Sequence, residues 1–361
     1  MRLLIVDDSA LMRRMLQDCF ANEPGIEVAT ARDGIDALEK LHAFRPDVIT
    51  LDINMPKMDG LTCLAHIMEE RPCPVVMVSS LSEKGAVATF EALELGAADY
   101  VTKPDGTVSL SLDLIFGELR SKVQAAGRSR SRLLRERPVR RRSPPADPEP
   151  LPQDAGTASG TVELVLIGSS TGGPRVLEDI LRNLPADFPV PILVAQHMPP
   201  RFTRIFAERL ADACNLKVQE LDRAMPLEPG NAYIAPGAKD VEVSHQFRRT
   251  IARPVDADPS RTWHPSVSRM VASALDTFAP RQLLGVMLTG MGDDGSVEMA
   301  RIHWGGGRTI AEAEATAVVW GMPQKLIEQD GASIVLPADR IAGQIRRWAV
   351  SSDRKRKTSC R

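Results

Sequence analysis

Three stretches in the second half of the chain close apolar runs with residues that could move a proton. "VLIGSSTGGPRVLED" holds Ser169 and Ser170 in a glycine-rich turn, "VPILVAQHMPPRF" sets His197 directly after an apolar run, and "LLGVMLTGMGDDGS" carries Asp293 and Asp294 in a second glycine-rich turn. The glycines of "GSSTGG" permit a sharp turn, and Pro174 suits the first turn of a following helix. Two chemistries use such a turn: one holds a phosphate on backbone amides, the other raises a serine as a nucleophile. A Walker loop needs G-x-x-x-x-G-K-[ST], and no lysine follows here. A dinucleotide fingerprint needs G-x-G-x-x-G and an acid at the end of the next strand, which here ends in His197. Gly168 to Gly172 fit G-x-S-x-G with Ser170 central, although that short pattern alone describes equally a turn whose serines cap a helix. What favours the nucleophile is the company. A serine needs a base within reach, and the base needs an acceptor to fix its tautomer, so three requirements meet three strand ends. The spacing does not choose between Asp293 and Asp294.

The first half collects a different set. Its first apolar run ends in Asp7 and Asp8, its third in Asp52 within "LDINMP", its fourth in Ser79 and Ser80, and its fifth leads through Tyr100 to Lys103 and Pro104. Carboxylates sharing one crevice repel each other unless a cation sits among them, and an all-oxygen, partly hydrated site suits Mg²⁺. Such a crevice suits acceptance of a phosphoryl group. Mg²⁺ and the Lys103 ammonium would offset charge on the phosphoryl oxygens, Asp52 would attack phosphorus, and Ser79 would bond the product. Singly, each residue reads as a cap or turn residue; the succession of strand ends carries the reading.

These residues need parallel sheets to bring them to one edge. From Met1 to about Gly127, the runs "LLIV", "IEVAT", "DVITL", "PVVMV" and "DYVT" alternate with amphipathic stretches, which predicts βαβ units. From 128 to 160 the pattern fails in a basic, Pro-rich linker, whose run "RSRSRLLRERPVRRR" carries eight arginines and one glutamate. From 161 to 350 the alternation resumes with "VELVLIG", "VPILVAQ", "NAYIAP", "LLGVML", "RTIAEA" and "ASIVLP", and 351–361 form a polar, basic tail expected to fray. The fold class expected is α/β, with two doubly wound parallel sheets.

Composition narrows the classes further. A net charge of −2 over 361 residues gives no general attraction to nucleic acid, and the second half lacks a small basic helix-turn-helix unit. Five scattered cysteines without a C-x-x-C pair argue against a disulfide framework and a zinc site. Cysteines so placed make a reducing cytoplasm the expected location, and no apolar run approaches the ~20 residues needed to span a bilayer, so membrane insertion is not expected. Of the remaining histidines in the second half, His245 in "SHQFRRT" reads as part of a surface hairpin and His303 in "RIHWGGG" as a helix end. His264 in "TWHPS" is a candidate for a pocket wall, since a tryptophan and a Pro-Ser turn could line a cleft.

Two resemblances extend this reading. Met1 to about Gly127 resembles a two-component receiver domain of flavodoxin-like fold, through "VDDS", "LDINMPKMDG", "VSS" and "DYVTKP". That likeness implies Asp52 as phospho-acceptor, Asp8 and Asp52 with the Asn54 carbonyl as Mg²⁺ ligands, Asp7 assisting through water, Ser79 and Tyr100 as reporters of phosphorylation, and a sensor histidine kinase as donor. Residues from about Val162 to Trp348 resemble the Rossmann-like catalytic domain of the chemotaxis protein-glutamate methylesterases, through "IGSSTGG", "QHMPPRFT", "YIAPG", "HPSV", "LTGMGDDG" and "EATAVVWGMP". The likeness implies Ser170 as nucleophile, His197 as base, Asp294 as orienting acid, the Met291 amide as oxyanion donor and Thr171 beside the nucleophile. It also implies methyl-accepting chemoreceptors as substrate, a glutaminase activity, and no cofactor for the hydrolysis. Ser169 stands where the family has alanine, "MPPRFT" where it has "MPPGFT", and "SRTWHPSVSRM" and "IHWGGGRT" also depart from the usual wording. Joining the two halves suggests that the unphosphorylated receiver covers the Ser170 edge and that phosphorylated Asp52 releases it. The arginine run could add attraction to acidic receptor helices or anionic lipid, beside its plainer role as a solvated tether.

Overall fold

The computed structural model describes residues 1–21, 23–80, 82–103, 109–133, 161–247 and 249–359. The first half alternates strand and helix throughout: β1 (Arg2–Val6), α1 (Ala10–Phe20), β2 (Glu27–Ala31), α2 (Gly34–Ala43), β3 (Val48–Asp52), α3 (Gly60–Glu70), β4 (Val75–Ser79), α4 (Glu83–Leu95), β5 (Asp99–Thr102) and α5 (Ser109–Leu133). Ser9, Asp33, Asp59 and Ser82 accept backbone N–H bonds at the starts of α1 to α4, so the turn after each of the first four strands closes on a side-chain cap. The strands lie in the order β2-β1-β3-β4-β5, all parallel. The chain therefore leaves β1 and β3 in opposite directions, and a crevice opens between their carboxyl ends, where Asp7, Asp8 and Asp52 lie. Helix α5 runs past Gly127, so the basic stretch expected as linker from 128 begins as helix. Pro104 and the last five arginines of the basic run, Arg135, Arg137, Arg140, Arg141 and Arg142, lie outside the described residues.

The second half repeats the principle on a larger sheet. Its elements are β6 (Leu164–Ser169), α6 (Gly173–Arg182), β7 (Ile192–Gln196), α7 (Pro200–Ala213), β8 (Lys217–Glu220), β9 (Met225–Pro226), β10 (Asn231–Ile234), β11 (Lys239–Gln246), β12 (Arg249–Asp256), α8 (Val267–Thr277), β13 (Leu283–Met287), α9 (Ser296–Trp304), β14 (Arg308–Glu312), α10 (Met322–Glu328), β15 (Ile334–Leu336) and α11 (Ala338–Ser359). Seven parallel strands lie in the order β15-β14-β13-β6-β7-β10-β8, while β11, β12 and β9 make a separate antiparallel sheet. Strands β6, β7 and β13 are buried along their whole length, as continuous apolar runs covered on both faces should be. The order reverses between β6 and β13, which marks a second crevice of the same kind. The tail expected to fray continues the backbone of α11 to Ser359.

The halves touch through aromatic rings. Phe90 on α4 stacks on Phe206 of α7 at 5.5 Å between ring centroids, and Tyr100 on β5 stacks on Phe202 of α7 at 5.0 Å. Such pairs contribute about 0.5–1.5 kcal/mol each beyond their burial. Arg209 of α7 pairs with Glu94 of α4 at the edge of this contact.

Candidate active site and phosphoacceptor pocket

The crevice of the larger sheet is built from three neighbouring strand ends. Ser170 follows β6, His197 follows β7, and the turn carrying Asp294 follows β13. The β6–β7 register ends at Ser169 and Gln196, and His197 N–H donates to the Ser169 carbonyl at 3.0 Å, so Ser170 and His197 are the next pair along the ladder. On the other side, Ser170 N–H donates to the Thr289 carbonyl at 3.0 Å. A buried glutamine ties the same ends together: Gln196 accepts from Ser169 Oγ at 2.6 Å and donates to the Ser170 carbonyl at 2.8 Å. Ser169, fully buried, is thereby committed to structure, whereas Ser170 keeps 8% exposure.

Two glycines make the approach possible. Gly172, at φ 77°, begins α6 where a Cβ would meet Val318 at 2.5 Å. Gly290 lets the "LTGMG" turn close on the nucleophile turn, since a Cβ there would come within 2.9 Å of Ser170 Cβ. The Gly290 carbonyl accepts from the amides of Gly321 and Met322, which pins the turn beside Met291, and Thr289 Oγ1 donates to the carbonyl of Thr171 at 2.9 Å.

Of the two acids, Asp294 is the one that meets the imidazole. His197 Nε2 and Asp294 Oδ2 are 2.9 Å apart and both side chains are buried, while Asp293 is exposed. Asp294 also accepts from the amides of Val267 at 2.7 Å and Ser268 at 3.0 Å, the otherwise orphaned first amides of α8, and from Ser266 Oγ at 3.1 Å. Burial alone would push this carboxyl up; the His197 bond and charge and the two amides outweigh it and hold the pKa at about 2. The other imidazole nitrogen, Nδ1, is buried and has no hydrogen-bond partner among the described residues, so the bond from Ser170 Oγ is not closed in this conformation.

The smaller sheet assembles its pocket similarly. Carboxylate oxygens of Asp7, Asp8 and Asp52 lie within 4.8 Å of one another, a hard-oxygen donor set that fits Mg²⁺. Lys103 Nζ bridges two of them, at 3.0 Å from Asp7 and 2.8 Å from Asp52. Asp7 and Asp52 are buried and Asp8 is exposed, which leaves the crevice open on one side. Burial pushes the Asp52 carboxyl above its usual range, against the pull of Lys103 and with the push of Asp7. Asn54 follows Asp52 by two residues, its N–H 3.4 Å from Asp52 Oδ1. Ser79 is buried at the end of β4 and donates to the Gly85 carbonyl at 3.0 Å, while its own carbonyl accepts from Lys103 N–H. Tyr100 does not enter this pocket's bonding; it faces the other half, on Phe202.

Both halves match known families over most of their length. Residues 165–345 match the CheB methylesterase family and residues 3–112 the response regulator receiver domain. The chain belongs to the CheB methylesterase family. A protein-glutamate methylesterase/protein-glutamine glutaminase of Rhodospirillum rubrum is 53% identical over 96% of this chain and 96% of its own length. One of the same description from Rhodopseudomonas palustris is 49% identical over 96% and 98%. Among solved structures, the Thermotoga maritima CheB methylesterase catalytic domain aligns with a TM-score of 0.50 at 38% identity, over 52% of this chain and 98% of that one. Two parallel α/β sheets, as expected from the sequence, are what this CheB-family chain contains.

The "TWHPS" stretch reaches the site through its tryptophan and not through its histidine. Trp263 lies face to face with the His197 ring, at 5.1 Å between centroids and 5° between planes. His264, a candidate for the pocket wall, instead gives its Nδ1 to the buried Asp240 carboxyl at 2.9 Å. His245 is on the β11–β12 hairpin and His303 near the end of α9, as expected. Beside the contact between the halves, a cleft of about 240 Å³ is lined by Phe90, Leu93 and Glu94 of α4 and by Pro174 and Arg175 of α6, a few residues beyond Ser170.

Proposed function

We propose that this chain is a phosphorylation-controlled hydrolase that removes methyl groups from glutamyl methyl esters of chemoreceptors, and deamidates receptor glutamines, for adaptation in a chemosensory pathway. Ser170 Oγ attacks the ester carbonyl carbon while His197 takes its proton on Nδ1, the nitrogen that Asp294 leaves free. The developing oxyanion is held by backbone amides, Met291 among them, with Thr171 beside the nucleophile. The C–O bond to the methoxy group then breaks, His197 returns the proton, and methanol leaves an acyl-enzyme that water hydrolyses by the same route. An amide side chain would release ammonia instead. The observation that carries this reading is the 2.9 Å His197–Asp294 bond one ladder step from Ser170 at the reversal point of the sheet.

In the receiver, taken as residues 1–127, Asp52 accepts the phosphoryl group from a sensor histidine kinase. Mg²⁺, when bound, offsets the charge of the phosphoryl oxygens; Asp8 and Asp52 with the Asn54 carbonyl would hold it, assisted by Asp7. Lys103 supplies a second cation from the protein itself, and Ser79 turns toward the new phosphoryl group. Residues 128–160 serve as tether, 161–350 as catalytic domain and 351–361 as tail. Among the described residues no helix is long and apolar enough to cross a membrane, and a cytoplasmic site of action, without nucleic acid, accords with receptor substrates. Control runs through α4 and β5, whose rings lie on α7 close to the Ser170 turn: the unphosphorylated receiver restricts the edge and phosphorylation releases it.

The test is methanol release from methylated receptor by the full chain. Wild-type protein releases methanol faster with a small phosphodonor, and Ser170→Ala releases none above background. Undiminished release by Ser170→Ala would overturn the reading.

A further inference from the structure

One side chain outside the triad lies on the face of its histidine, that of Trp263. Its indole and the His197 imidazole are nearly parallel, 5° apart at 5.1 Å. Both ring nitrogens of an imidazole lie in the ring plane, so a neighbour on its face competes neither with the Asp294 bond at Nε2 nor with a proton arriving at Nδ1. The face is also where a cation meets the negative side of a π system.

The loop that carries the indole is held by a buried anchor outside the triad. Asp240, with no exposed surface, accepts from Asp258 N–H at 3.1 Å, His264 Nδ1 at 2.9 Å, Ser266 N–H at 2.9 Å and Arg269 Nη1 at 3.3 Å. Trp263 therefore sits between two pinned points of the β12–α8 connection. Ser266, at the end of that connection, bonds Asp294 Oδ1, so one loop presents an indole to His197 and a hydroxyl to its acid. A Cβ on Gly292 would come within 3.5 Å of Trp263 Nε1, which places the indole against the Met291 turn as well. Trp263 itself is only half-buried, as a residue serving the core would not be.

We propose that Trp263 is a positioning residue for the hydrolysis, its indole holding the His197 ring in the plane of Asp294 and stabilising the imidazolium formed as Ser170 loses its proton. This rests on the triad reading above. The imidazolium exists in the transition state and not in the bound ester, so the indole acts on kcat and not on KM.

The experiment compares full-length wild type, Trp263→Leu, Trp263→Phe and Ser170→Ala, each checked for fold by circular dichroism, on two substrates: methylated receptor with a phosphodonor, and p-nitrophenyl acetate. Expected is a kcat on receptor lower by about 10-fold in Trp263→Leu with KM changed less than about 2-fold, a similar loss on the small ester, and recovery of most of the rate in Trp263→Phe, which keeps a π face. A wild-type kcat in Trp263→Leu, a loss confined to KM or to the receptor, or equal losses in the Leu and Phe variants would each overturn the proposal. Should Trp263→Leu fail to fold, the Phe variant decides, since a loss of more than about 5-fold in a folded Trp263→Phe contradicts it. If Ser170→Ala stays active, the triad reading fails; if it is inactive while Trp263→Leu is as fast as wild type, only this inference fails.

Discussion

The two crevices of this molecule are made by one topological device and put to opposite electrostatic use. Each lies where a parallel sheet reverses its strand order, and each sets a carboxyl group there, Asp52 at the end of β3 and Asp294 in the turn after β13. Asp52 is buried with a lysine and a second acid for company and only a distant backbone N–H, so burial wins and its pKa rises. Asp294 is also buried, yet an imidazole, two helix-terminal amides and a hydroxyl converge on it and hold its pKa at about 2. The carboxylate proposed to attack phosphorus is short of donors, and the one proposed to orient the histidine is saturated with them.

Substitutions can break this contrast in order of size. His197→Ala should cost methanol release at least about 10³-fold, since the proposed mechanism has His197 as its base, and Asp294→Asn should cost nearly as much by releasing the imidazole's tautomer and orientation. Steady-state rates at saturating receptor measure both. Asp52→Asn should bring the ratio of rates with and without phosphodonor to about one, with no comparable loss of the unstimulated rate, because the second crevice shares no group with the first. Tyr100→Leu, which removes the stack on Phe202 and keeps most of the volume, should raise the unphosphorylated rate about 2- to 10-fold. A rate unchanged in that variant would argue that the ring contact does not restrain the enzyme.

Stability against pH sharpens the same comparison. The Asp294 pKa is lowered on folding, so its contribution is present above about 4, the unfolded value, and is lost as pH falls through about 2. The contribution is on the order of 2 kcal/mol, and the fall in unfolding midpoint between these pH values should be shallower in Asp294→Asn. Asp52 has the opposite sign: its raised pKa makes the ionised form unfavourable in the fold, so Asp52→Asn should stabilise the receiver at neutral pH without Mg²⁺, measurable by chemical denaturation.

Much of this was legible beforehand, because groups that end apolar runs in a parallel sheet must share its carboxyl edge. That rule brought Asp7, Asp8, Asp52 and Lys103 together, and likewise Ser170 and His197. It could not choose between Asp293 and Asp294; the choice belongs to the first amides of α8, which reach only Asp294. Strand β8 was missed since Lys217–Glu220 is short and alternates with polar residues. The antiparallel sheet was read only as the hairpin around His245, its other strand being two residues long. Helix α5 runs beyond its expected end because "VQAAGRSRSRL" is linker-like in charge but helix-forming in its Ala, Arg and Leu content. "TWHPS" signals a cleft wall through its tryptophan, but that Trp263 and not His264 faces the triad, and that Asp240 holds the loop, depends on tertiary bonds along a long connection.

The proposed hydrolysis requires one particular hydroxyl, that of Ser170, to be the nucleophile served by His197 and Asp294. Reaction of the full chain with a fluorophosphonate, followed by peptide mass spectrometry, tests it most directly, since a second serine stands next to it in the same turn. Expected is a single adduct on Ser170, formed more than about 100-fold more slowly in Asp294→Asn. An adduct on Ser169, or labelling of Ser170 at the same rate with Asp294 removed, would contradict it.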